Sequence, residues 1–134
     1  MSAERLPFDA TPINRLLGLE LRSAGPGSAT VSLPAREEVT QEYAVVHGGV
    51  LAAVADTAAV YALLPMLADG ERMTSVEFKV NCLGAALPDR GDVVAQSSIV
   101  RKGRTIAVVH VDVRQGEQIV LTGLFTYIIF SGTA

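Results

Sequence analysis

The chain has no tryptophan and a single cysteine, Cys82, among its 134 residues. One cysteine excludes an internal disulfide framework and fits a reducing compartment. With only His47 and His110 beside it, the chain also lacks an obvious zinc-ligand set. Charge is sparse: 11 Lys and Arg against 14 Asp and Glu give a formal net charge of −3. That balance argues against a nucleic-acid surface while leaving room for a local basic patch. The opening MSAERLPFDATP has no apolar core of a signal peptide, and the longest apolar segment is broken by Asp56 and Pro65. Neither secretion nor membrane spanning is expected, and a cytoplasmic location is. No repeat, low-complexity tract or linker is visible, so one domain over residues 1–134 is expected.

What is present in quantity is apolar sequence. The stretch VVHGGVLAAVADTAAVYALL, Val45 to Leu64, opens on His47, Gly48 and Gly49 and carries Asp56 as its only charged residue. A lone carboxylate in such surroundings needs a reason, because Asp is seldom buried unless it is paired or used. The two glycines permit close backbone approach, and the first amides of a helix starting there have no partner within it. Such donors attract an oxyanion or a polarised carbonyl. Asp56 lies far along the same helix, about 12 Å from Gly48 at the helical rise. One helix therefore does not bring both to the same carbonyl. Two antiparallel copies do, which points to a site shared within a symmetric dimer.

The rest of the chain reads as a short helix and a series of strands. Asp9 or Thr11 caps a helix through Leu17 that contains Pro12 and ends at Gly18. Leu19 to Ser23 and Ser28 to Leu33 form a strand pair around Ala24-Gly25-Pro26-Gly27. The central helix is expected to run to about Leu67 and, being apolar all round, to be wrapped by other structure. Val76, Phe78, Val80 and Cys82 then alternate with polar residues, giving a strand with one apolar face. Asp92 to Arg101, Arg104 to Arg114 and Gln118 to Phe130 follow as an antiparallel meander. The expected class is α+β, a sheet around one central helix.

This is the hotdog architecture, and the chain resembles hotdog acyl-CoA thioesterases of the phenylacetate-degradation type, related to 4-hydroxybenzoyl-CoA thioesterases. The resemblance spans nearly the whole chain: LLGLEL, GPGSATVSLP, HGGVLAAVADTA, TSVEFKVNCLGAA and GDVVAQSSIVRKGRTIAVVHVDV. It implies that Asp56 is the nucleophile or the general base on water, and that the Gly48 amide polarises the thioester carbonyl across a dimer interface. It implies supporting roles for Gln41, which helps hold the carbonyl or water, for His47 beside the thioester, and for Ser75, which positions water. Gln41 and Ala44 stand where many phenylacetate-type relatives read Asn and Gly. Gln41 resembles the 4-hydroxybenzoyl-CoA branch, and Asp56 in place of Glu the phenylacetate branch. The implied assembly is a homodimer pairing into a homotetramer, with an acyl-CoA substrate and no metal or redox cofactor.

Other positions have an ordinary reading beside a functional one. Gly49 belongs to the substrate-binding turn or only to its geometry. Tyr43, Tyr61 and Phe78 line an acyl pocket or pack in the core. Arg101, Lys102 and Arg104 form a solvated hairpin tip or hold CoA phosphates. Cys82 is expected as a packed thiol and His110 as a structural residue. Two further activity classes also use acyl thioesters. A hydratase or dehydratase needs an acid and a base at the α and β carbons, and a non-catalytic acyl-CoA binding module needs an output domain. Release of free thiol separates hydrolysis from both.

Overall fold

The structure is a computed structural model that describes residues 4–132. Helix α1 (Pro12–Leu17) starts on a proline, whose missing N–H leaves nothing unpaired in a first turn. It stops at Gly18, whose left-handed φ of 71° is open to glycine at little cost. Thr11 occupies the N-cap without a side-chain capping bond; its Oγ1 donates to the Pro7 carbonyl instead. The buried Asn14 donates to the Phe8 carbonyl at 3.1 Å, which folds the preceding segment back over the helix.

Strands β1 (Glu20–Gly25) and β2 (Ser28–Leu33) follow, and then the long helix α2 (Gly48–Leu63). The regular helix stops earlier than expected. Pro65 has no N–H to continue it, and Leu64–Met66 tighten into a 3-10 turn. Strands β3 (Glu71–Cys82), β4 (Val93–Lys102), β5 (Ile106–Gln115) and β6 (Gln118–Ser131) complete the chain. Among the described residues they form one antiparallel sheet in the order β1-β2-β4-β5-β6-β3. The expected meander is β4-β5-β6. β2 joins one side of it and β3 the other.

The sheet curls over one face of α2. Val54, Ala55, Ala58, Ala59, Ala62 and Leu63 are fully buried there, against Val31, Leu33, Val93, Ala95, Val109 and Val111. Alanines on this face let the helix come close enough for a direct polar tie. The buried Ser97 of β4 donates from Oγ to the Ala58 carbonyl at 2.7 Å. A longer side chain at that point has no room. Ala58→Leu is expected to destabilise the fold by about 2 kcal/mol, lowering Tm by about 7 °C, as thermal unfolding by circular dichroism would show. An unchanged Tm would mean that the helix can lift off the sheet without loss.

Two expectations are corrected. The helix is not wrapped all round: Ala53, Asp56, Thr57, Val60 and Tyr61 are only partly buried, because the sheet covers one side alone. Nor does β3 bury its apolar face. It is an edge strand, and Val76, Phe78 and Cys82 are exposed, so Cys82 is not a packed thiol. Phe78 still turns toward the helix side, where it stacks on Phe125 at 5.3 Å. The strand is not in one phase either. A bulge between Ser75 and Glu77 lets Ser75, opposite Tyr127, and Phe78, opposite Phe125, share that side despite their odd spacing.

Candidate active site

His47 shapes the start of α2. Its backbone is extended (φ −58°, ψ 132°), its carbonyl accepts from Val50 and Leu51, and its Nδ1 accepts from the Gly49 N–H at 2.9 Å. A β-carbon on Gly49 would lie 2.8 Å from the imidazole, so glycine there is what allows the ring to sit over the helix end. These bonds occupy three of the first-turn amides. The Gly48 N–H has no acceptor among the described residues. Gly48 faces Cys82 of β3: a β-carbon there would meet its Sγ at an ordinary 3.5 Å.

Asp56 stands on the uncovered side of the helix between two open hollows. One, of about 530 Å³, extends toward the helix start and is lined by Gly48, Gly49, Ala52, Phe78 and Cys82. The other, of about 570 Å³, lies between α2, β3 and the N-terminal segment, and includes Tyr61, Met73, Ser75 and Tyr127. Asp56 belongs to both walls. Its Oδ1 accepts a hydrogen bond from the hydroxyl of Tyr127, a residue only 1% exposed on β6. Burial above all, then the Asp56 charge and this hydrogen bond, pushes the Tyr127 hydroxyl well above the ordinary tyrosine range. It stays a donor.

The residues singled out from the sequence divide into two groups. Gly48, Gly49, Asp56 and Ser75 line these hollows, and His47 organises the amides beside them. Tyr61 and Phe78 line them too. Gln41 does not: its Oε1 accepts from the Tyr43 N–H in a local turn, where Ala44 adopts a φ of 60°. Tyr43 is 80% exposed and lines neither hollow. Arg101, Lys102 and Arg104 sit at the β4–β5 turn, also outside both. His110 lies on the outer face of the sheet, with Nε2 3.4 Å from an Asp112 oxygen.

Tyr127 is the residue the sequence reading missed. One signal was available: Leu121, Gly123, Phe125, Tyr127 and Ile129 alternate as the inward face of β6, and an inward tyrosine needs a partner for its hydroxyl.

The sequence matches the thioesterase superfamily model over residues 43–122, which takes in the helix start, Asp56, β3 and most of the meander. Human acyl-coenzyme A thioesterase 13 is 30% identical over 104 residues, 77% of this chain and 73% of that protein. A relative from Halobacterium salinarum is 32% identical over 103 residues, 72% of this chain but 66% of its own length. A thioesterase family protein from Silicibacter pomeroyi superposes with a TM-score of 0.85 at 27% identity, covering 93% of each chain. Thioesterase HI1161 of Haemophilus influenzae shares the fold with the same TM-score at 22% identity, over 96% of this chain and 93% of that one. The chain belongs to the thioesterase superfamily, and it is a thioester hydrolase with the hotdog fold.

Proposed function

We propose that the protein hydrolyses an acyl-CoA thioester, of the aryl, arylacetyl or medium-chain class, to the free acid and CoA at a site shared by two subunits. The observation that carries this reading is the uncovered side of α2, where the open Gly48 amide and Asp56 lie on one hollow beside an unpaired strand edge. The two groups are about 12 Å apart along the helix, whereas a reacting carbonyl sits roughly 3 Å from both its donor and its attacker. A second copy packed antiparallel on this side brings the Gly48 amide of one protomer to the Asp56 of the other. The exposed Val76 and Phe78 supply apolar surface for that contact, and the outer edge of β3 supplies backbone donors and acceptors. Gly48 then binds the developing oxyanion, while Asp56 takes a proton from water or attacks the carbonyl itself. Gln41, Tyr43 and the Arg101, Lys102 and Arg104 cluster, remote from the hollows within one chain, enter this reading only as contacts made across the assembled dimer. Pairing of dimers into a homotetramer belongs to the same reading.

Subunit mixing tests it. A variant altered at Gly48 and one altered at Asp56, each well folded and nearly inactive, are expected to regain a substantial part of parent activity when exchanged into heterodimers. Each mixed dimer holds one site with both residues intact. Thiol release from a panel of aryl, arylacetyl and straight-chain acyl-CoAs is the readout. Verified heterodimers no more active than their parents would rule out the shared site, and a panel without thiol release would rule out the substrate class.

A further inference from the structure

We infer that Tyr127 is a positioning residue for hydrolysis, its hydroxyl holding Oδ1 of Asp56 so that Oδ2 is the oxygen presented to the reacting groups. The inference rests on the reading of Asp56 as the reacting carboxylate. Aspartate's terminal torsion is broad and nearly two-fold, so a carboxylate on a half-open helix face samples many orientations unless something fixes it. Tyr127 is suited to fix it. Its ring is 1% exposed in the core of the sheet, and its hydroxyl reaches Asp56 Oδ1 while lying 3.3 Å from the Asp56 carbonyl oxygen. Because the hydroxyl keeps its proton, the bond has one direction, from phenol to carboxylate. Across the sheet Tyr127 pairs with Ser75, so the side chains expected to hold the carboxylate and the water stand on neighbouring strands.

The other titratable or charged groups on the two hollows around Asp56 are Arg5 from the N-terminal segment, Tyr61 from α2 and Cys82 from β3. None of them makes a described hydrogen bond or ion pair with Asp56. Tyr127 is therefore the group whose removal changes the carboxylate's hydrogen bonding.

The test uses two substitutions in the full chain, with octanoyl-CoA and phenylacetyl-CoA as probes and thiol release as the assay. Tyr127→Phe is expected to lower kcat about tenfold with KM changed less than about twofold. 4-Fluorophenylalanine placed at position 127 fills the hydroxyl's place without donating, so it is expected to lower kcat by a similar factor. It also carries the test if the phenylalanine variant fails to fold. A kcat within about twofold of the parent in the folded variants, in a protein that Asp56→Asn inactivates, would overturn the positioning role alone. Full turnover in Asp56→Asn would instead overturn the reading beneath it.

Discussion

Asp56→Asn is expected to lower kcat for thioester hydrolysis by about 100-fold or more while the protein keeps its fold, the ordinary scale for loss of an acid–base or nucleophilic group. Asparagine suits the experiment because its carbonyl oxygen can still accept from the Tyr127 hydroxyl, which leaves the local packing in place. Asp56→Ala is a different perturbation. It takes away the acceptor of a buried hydroxyl, a loss of about 1–3 kcal/mol, held toward the lower end by the Asp56 carbonyl 3.3 Å away. Equal inactivity of the two variants with a lower Tm only for alanine is the expected pattern. Turnover in a folded asparagine variant comparable to that of the parent would remove Asp56 from the chemistry.

Gly48→Pro is expected to lower kcat by a similar factor, about 100-fold, by deleting one N–H and little else. Gly48 is the first residue of α2, the helical position where proline is best tolerated. The residue before it, His47, already has the extended backbone that a following proline imposes. Gly48→Ala is the control, since it keeps the N–H and its β-carbon meets only Cys82 Sγ, at an ordinary distance. Alanine should therefore cost much less than proline. Equal losses in the two variants would assign the effect to crowding and dismiss the amide as oxyanion donor.

Much of this site was legible because its parts are local in sequence. The His47-Gly48-Gly49 turn, the helix that follows and the isolated Asp56 fall within one short stretch, and each is unusual for its position. The β2, β4, β5 and β6 boundaries were also readable, since their inward residues alternate against a covered face. Contacts between distant segments were not readable in the same way. Tyr127 meets Asp56 across 71 residues, and nothing near either names the other. The exposure of Cys82 was hidden for a related reason: alternation shows that a strand has an apolar side, not whether that side is covered. In β3 the alternation was also misleading around Val76, where the bulge changes the phase. A function for Gln41 had no local signal at all, and among the described residues its side chain bonds only within its own turn.

The position of β3 at the end of the sheet has a consequence for how the chain folds. It precedes β4 and β5, yet its strand partner is β6, the last of the described strands to be made. The first strands can pair, and the meander can begin to grow, while residues 71–82 have no neighbour to bond. Closing so long a loop is slow compared with forming a hairpin, and an unpaired strand carrying Val76 and Phe78 invites misassociation in the interval. β3 is thus the segment left waiting during synthesis, and after β6 arrives its outer edge is still unpaired among the described residues.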